Sequence, residues 1–425
     1  MSRFYTSLFS SPFPMFPAKN SGYYALLISL CLASCQSDTP AQNTAASTAT
    51  TTPPKTAAPA TSTAWYRQYR TRLPGATDSV TVHLQNLGTG SDASSIGRVV
   101  GFYAGPKGQP FELASNPTSA PDSLLLREAS HSRLNAGGYG AVWRLRRMGE
   151  AWVGTLAGQT VRLQPLPVSQ GVAFDTQVFR DSVRARPQHP QDSVWGRISL
   201  HALLPTSNRQ PLAGNMLHLL HGDTVFAGSA PTLPAIWEDM RRPFFNDYQE
   251  DMKAIFQQME ADTSRSGHRP MAMLNYTDER DTYVLWNADN LLSLGLFTYS
   301  YAGGAHGNYG THVLSFDTRS GRPLPYDAIF RPDAKPRLEA LLARYARPSL
   351  GLKPNEPLRN ALFEETLPVT RNVYLTSGGA VFVYQPYEVA AYAYGEVRVF
   401  VPLRELRPLL QPGLPLQEGR SVAQK

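Results

Sequence analysis

The placement of two cysteines narrows the folding options of this 425-residue chain more than any other feature. Cys31 ends an apolar run that begins Tyr23-Tyr24-Ala25-Leu26-Leu27, and Cys35 closes the sequence Leu32-Ala33-Ser34-Cys35. Arg3 and Lys19 precede the run, with no acidic residue before Cys35. A basic start and an apolar stretch of roughly ten residues are too short to span a bilayer and suit a secretory signal. Small residues before Cys35 match a bacterial lipobox, in which the thiol receives diacylglycerol and a palmitate-type acyl chain. Cleavage is expected to remove residues 1–34, and with them Cys31, leaving Cys35 acylated. The remainder must then fold in the cell envelope with no disulfide and no thiolate metal site. No later apolar run approaches the ~20 residues of a transmembrane helix, so lipid is the expected anchor.

Residues 35–63 are nearly all Ser, Thr, Ala, Pro, Gln and Asn, as in Thr48-Ala49-Thr50-Thr51-Thr52-Pro53-Pro54. Such a segment buries too little apolar surface to offset its chain entropy and reads as a flexible tether. The chain carries 40 Lys and Arg against 33 Asp and Glu; without Arg3 and Lys19 the balance is 38 − 33, or +5. Arg144 and Arg146 alternate with Trp143 and Leu145, the period of a half-buried strand rather than a basic groove. Nucleic acid is therefore not an expected partner.

The fold class expected is α+β. Residues 64–166 read as a small antiparallel β domain, sandwich or barrel: Val80, Val82 and Leu84 alternate with Thr81, His83 and Gln85, and Gly/Pro turns separate short strands. His83 and His131 stand alone there and read as structural or surface residues. A Pro-rich seam, Gln164 to Gly171, leads into an α+β region over 171–290, with antiparallel strands near Val172–Val183 and Ser193–Leu203. A helix is expected with Pro243 in its first turn and Phe244, Phe245, Tyr248, Met252, Ile255, Phe256 and Met259 at helical spacing. Strands are expected at Met271–Tyr276, Tyr283–Trp286, Leu292–Tyr301 and Thr311–Phe316. Asp333 is expected to cap a helix carrying Leu338, Leu341, Leu342 and Tyr345. Strands at Asn372–Leu375, Ala380–Tyr384 and Val397–Val401 and a short helix from Arg404 complete a module over 291–412; 413–425 is a tail.

Within that module, Tyr299-Ser300-Tyr301-Ala302-Gly303-Gly304-Ala305-His306-Gly307 resembles the C-terminal domain of the RsiV-like family. Phe316-Asp317-Thr318-Arg319-Ser320-Gly321, Pro386-Tyr387-Glu388-Val389-Ala390 with Tyr392-Ala393-Tyr394-Gly395, and Val401-Pro402-Leu403-Arg404 extend the likeness in order. That family includes lysozyme-sensing anti-sigma factors and the non-catalytic region of some peptidoglycan deacetylases. Its anti-sigma members have a cytoplasmic segment and a transmembrane helix before the module, whereas here an export signal and a β domain take that place. The resemblance thus implies extracytoplasmic recognition rather than contact with a sigma factor.

Gly303, Gly304 and Gly307 permit a tight turn with His306 exposed at its tip. Tyr299, Tyr301, Gly303, Gly304, His306 and Gly307 are candidate ligand-binding residues, with Tyr387, Glu388 and Tyr392 as a second wall. A plain structural hairpin and a catalytic His306 assisted by Glu388 or Asp317 remain the alternatives. No nucleophile with a matched base, metal-ligand set or cofactor motif is evident. Three functions follow in order: a binding module for a lysozyme-like protein or a cell-wall glycan such as peptidoglycan, an envelope scaffold, and a cell-wall enzyme. Lysozymes are basic, so a receptor for one should present acidic groups, and Asp278-Glu279-Asp281 and Glu364-Glu365 are the conspicuous acidic clusters. A basic face around His306 would favour an acidic glycan instead.

Overall fold

The computed structural model describes residues 64–88, 98–105, 108–115, 122–128, 140–167, 171–206, 210–223, 225–261 and 271–416. The signal segment, Cys35, the tether, His131 and residues 417–425 lie outside them. Among the described residues, no helix is long and apolar enough to cross a membrane.

Eight strands come first: β1 (Trp65–Arg72), β2 (Ser79–Asn86), β3 (Val99–Ala104), β4 (Pro110–Ser115), β5 (Ser123–Glu128), β6 (Val142–Met148), β7 (Ala151–Leu156) and β8 (Gln159–Leu166). Each pairs antiparallel with the next, and β1 pairs with β8, Tyr69 facing Pro165, so the sheet closes into a barrel. Closure leaves no open edge to template pairing with another chain. The period-two pattern decides which side chains go in. Val82 and Leu84, Trp143 and Leu145, Val161 and Leu163 are buried in the interior, while Arg144 and Arg146 point to solvent. Tyr69, Tyr103 and Trp143 fill the centre. Of the two architectures expected for this region, the barrel is the one observed.

The second body comprises β9 (Phe174–Arg184), β10 (Trp195–Pro205), α1 (Leu212–His221), α2 (Leu233–Ala261), β11 (Tyr276–Ala288), β12 (Leu291–Tyr301), β13 (Asn308–Asp317), β14 (Pro323–Leu324), α3 (Tyr326–Ile329), α4 (Lys335–Ser349), β15 (Val373–Thr376), β16 (Gly379–Tyr384), β17 (Val397–Pro402) and α5 (Leu403–Leu406). One sheet has the order β14-β13-β12-β11-β10-β9 and a smaller one β15-β16-β17. The boundary drawn at residues 290 and 291 falls in the turn of the β11–β12 hairpin, so one sheet draws strands from both sides of it. The antiparallel expectation needs one correction: β10 and β11 run parallel, Gly196 facing Tyr276. A parallel pair needs a long crossover, and α1 and α2 supply it.

Three further expectations are corrected. Helix α2 begins at Leu233, so Pro243 lies inside it. The apolar stripe Leu233, Ile236, Trp237, Met240, Phe244, Tyr248, Met252, Phe256 is continuous across the proline and packs on Ile198, Leu200 and Ala202. That burial outweighs the one backbone bond proline removes. Residues Met271–Leu274 form a 3-10 turn rather than a strand. Asn275 draws the chain out of register by accepting from Trp195 N at 3.0 Å, the local competition Asn side chains offer. Asp333 does not cap α4: Ala334 occupies the cap position, and Asp333 pairs with Arg331 at 3.2 Å.

Two side-chain amides help bind the barrel to the large sheet. The β10 ladder on β11 ends at Asp281. Just beyond it, Gln85 of β2 donates to Thr282 O at 2.5 Å and accepts from Val284 N at 3.1 Å, standing in for a neighbouring strand. Asn287 accepts from Val172 N at 2.7 Å and donates to Tyr66 Oη at 3.0 Å. Tyr66 in turn donates to His83 Nδ1 at 2.7 Å, and the His83 ring stacks on Phe102 at 4.3 Å. His83 is thus a buried member of this joint.

Candidate ligand-binding site

Strands β12 and β13 form a long hairpin whose register runs from Leu291 opposite Asp317 to Ser300 opposite Asn308. Its tip turns through Gly303 and Gly304, at φ +84° and +97°, angles that side-chain-bearing residues rarely adopt. Gly307 is needed for a different reason: a Cβ there would stand 2.5 Å from the Tyr299 ring. The bare backbone rests on that ring, and the Gly307 carbonyl becomes an anchor. It accepts from His306 Nδ1 at 2.9 Å and from Tyr392 Oη at 2.7 Å. Tyr301 Oη donates to Gly304 O at 3.0 Å, bracing the turn from the other side.

The segment between β16 and β17 forms the second wall. Tyr392 stacks on His306 with ring centroids 4.0 Å apart, and Tyr387 lies 5.4 Å from Tyr392. Tyr309 meets Tyr392 edge-on at 5.7 Å. Tyr387 is held at φ +68°, a strained conformation for a bulky side chain, with 56% of its surface exposed. Burial, and then Glu279, push the Tyr299 hydroxyl up; burial, and then Glu396, do the same for Tyr309. Both therefore stay protonated and able to donate.

The structure thus gathers the candidate aromatic and glycine residues at one end of the hairpin. Glu388 is beside them and exposed, and its carboxylate accepts from Gln385 N at 2.8 Å. Asp317 is elsewhere: it ends β13 while the tip precedes Asn308, about 30 Å away at strand rise. Its carboxyl is tied to Arg319. No His306–Asp317 pair can form. Among the described residues, no group of three or more His, Cys, Asp or Glu side chains is placed to hold a metal ion.

Sequence reasoning missed the surroundings. The Met273 carbonyl lies 3.3 Å from where a Cβ on Gly303 would stand, and Met273 and Tyr394 are 40% and 37% exposed. With Tyr387 they make three of the six large apolar side chains most exposed among the described residues; Tyr387 and Tyr394 belong to the second wall, and Met273 to the turn whose carbonyl approaches Gly303. Tyr276 is 4.0 Å from the same Gly303 position, and its hydroxyl donates to Asp251 of α2 at 3.4 Å. Burial, and then the neighbouring Asp251 and Glu250, raise the Asp247 carboxyl one turn away on the same helix. Of the acidic residues singled out from sequence, Asp281 is buried against Arg98 and Glu365 pairs with Arg359, while Asp278 and Glu279 are half-buried, Glu279 opposite Tyr299 on the β11–β12 ladder.

Residues 227–309 match the family described as "Deacetylase PdaC", and residues 327–404 match DUF3298, described as a protein of unknown function. The hairpin tip belongs to the first match and the Tyr387–Tyr392 wall to the second. Similar solved structures include a DUF3298-family protein from Bacteroides fragilis, 21% identical, covering 57% of this chain and 96% of that one with a TM-score of 0.48. Another, from Pseudomonas aeruginosa, is 18% identical and covers 60% of this chain and 100% of that one with a TM-score of 0.41. No curated protein matches the chain.

Proposed function

We propose that this chain is an envelope lipoprotein, anchored through Cys35, whose β12–β13 tip binds a basic protein of the lysozyme kind. The observation that carries this reading is the coincidence of two surfaces. Exposed Tyr387 lies against His306 and Tyr392, and the carboxylates of Asp251, bonded to Tyr276, and of Glu279, opposite Tyr299 on the ladder, stand beside the same tip. Exposed apolar groups clustered together mark interaction sites, and Tyr and Met are favoured at them. An acidic rim complements a cationic partner and opposes an acidic glycan. The resemblance to lysozyme-sensing proteins agrees with that choice of partner.

The test compares lysozyme binding to the full-length protein and to two variants, Tyr387→Ala and Asp251→Asn. The first is expected to weaken binding about tenfold, mainly through faster dissociation. The second is expected to slow association most at low salt. Equal binding by all three proteins would remove the tip from recognition.

A further inference from the structure

Where the barrel wall, the large sheet and the small sheet meet, they enclose a cleft of ≈ 470 Å³. That volume lies within the range of small-ligand sites. Its lining chemistry is specific enough to choose among ligand classes. Two cationic and two anionic side chains line it, Arg98, Arg398, Glu112 and Glu396. All four are ion-paired within the protein. Arg398 pairs with Glu112 and with Glu396, the latter at 2.6 Å. Arg98 pairs with Asp281 at 3.2 Å and also reaches the Tyr283 hydroxyl. A phosphate or carboxylate would find both guanidiniums already paired, whereas Glu396 Oε1 is buried without a hydrogen-bond partner and can accept from a hydroxyl or amide N–H. A hydrocarbon would bury these polar edges without replacing their water, which costs free energy.

The remaining walls mix aliphatic and aromatic side chains, and three of the aromatics, Tyr283, Phe297 and Tyr309, begin a row that Tyr392 continues towards the tip. Tyr283 stacks on Phe297 at 5.5 Å, Phe297 lies 6.1 Å from Tyr309, and Tyr309 meets Tyr392 at 5.7 Å. The row begins at Arg98, whose guanidinium sits 5.3 Å over Phe297, and ends at the His306 stack on the tip. Aromatic rings at regular spacing, edged by fixed hydrogen-bonding groups, suit a chain of rings with apolar faces and hydroxyl rims.

We propose that this cleft is a second binding site, for an uncharged oligosaccharide segment that lies along the ring row from the barrel towards the tip. The site goes beyond the recognition of a basic protein and does not depend on it. Ala114 lines the barrel side of the cleft, away from the hairpin, so filling the cleft there leaves the tip intact.

The experiment titrates full-length protein in mild detergent with three tetrasaccharides: N-acetylglucosamine, its cationic deacetylated form, and an anionic galacturonate. Wild type is expected to bind the neutral sugar saturably and more tightly than either charged one. Ala114→Trp should weaken that binding about tenfold or more while lysozyme binding is unchanged. If Ala114→Trp unfolds early on heating, Arg98→Gln, which removes a polar edge of the cleft, decides in its place with the same expected loss. No saturable binding of the neutral sugar, preference for a charged one, or indifference to the deciding variant would overturn the proposal.

Discussion

At the scale of single residues, strain and burial give predictions of opposite character. Tyr387 holds φ +68° while its ring stays exposed, so little packing compensates the backbone cost. Tyr387→Gly is therefore expected to leave thermal stability level or raise it by up to about 1 kcal/mol, yet weaken lysozyme binding. A clear loss of stability in thermal melts would show that the ring packs more than its exposure implies. Gly307→Ala should act in the reverse sense: the new methyl pushes into Tyr299 and costs about 1–3 kcal/mol in urea titrations. Buried histidines set the acid response. Burial pushes His201 down to about 4 and His83 down to about 3, against an ordinary value of 6.5. The unfolded chain takes up these protons below 6.5 and the folded chain does not, so stability is full above that value and falls as the pH drops towards 4 and then 3. Each histidine contributes up to about 1.4 kcal/mol per pH unit. Neither ring nitrogen of His201 has a hydrogen-bond partner. His201→Leu should thus be neutral or stabilising near neutral pH and flatten the acid limb of the unfolding profile. An unchanged slope would locate the proton uptake elsewhere.

At the scale of elements, Gln85 is the informative position. It is 2% exposed and satisfies Thr282 O and Val284 N where the β10 ladder has ended. Gln85→Ala strands both groups and is expected to cost about 1–3 kcal/mol in urea unfolding. A smaller loss would mean that water replaces the amide. This joint also shows where sequence reading stops. The alternation of Val82 and Leu84 with Thr81, His83 and Gln85 tells that one face is buried, but nothing local tells that the other face is buried too, under another sheet. His83 accordingly read only as a structural or surface residue, and Gln85 only as a member of the polar alternation. Six of the eight barrel strands, β9, β10 and the β15–β17 sheet were legible from alternating runs ended by Gly and Pro turns; β1 and β5 were not singled out. Helix α2 was legible in its second half, where the stripe Phe244, Tyr248, Met252 and Phe256 is dense. Its start was misplaced because proline usually opens a helix, while the equally spaced Leu233, Trp237 and Met240 lay before it. At the tip, the turn glycines and the two aromatic segments were visible as motifs. The partners Met273, Tyr276 and Asp251 were not, since only the fold brings α2 and the 3-10 turn beside Gly303.

At the scale of the whole molecule, a closed barrel precedes a sheet whose β12–β13 hairpin carries the proposed recognition surface, and Cys35 is the proposed anchor. The anchor makes a separate prediction: cells grown with labelled palmitate should incorporate label into this protein, and Cys35→Ser should abolish it. Persistent labelling of the variant would place the acyl chain elsewhere. Charge makes another distinction. The whole chain is net basic by 40 to 33, so a basic partner would be repelled unless the acidic groups are gathered where it docks. Asp251, bonded to Tyr276, and Glu279, opposite Tyr299, are acidic groups beside the tip of the kind required. The most direct test is the dissociation constant of lysozyme with the full-length protein, measured from low to moderate salt. The account expects micromolar or tighter binding that weakens with salt but persists, because the aromatic centre is not screened. Absence of saturable binding, or binding that vanishes once charges are screened, would contradict it.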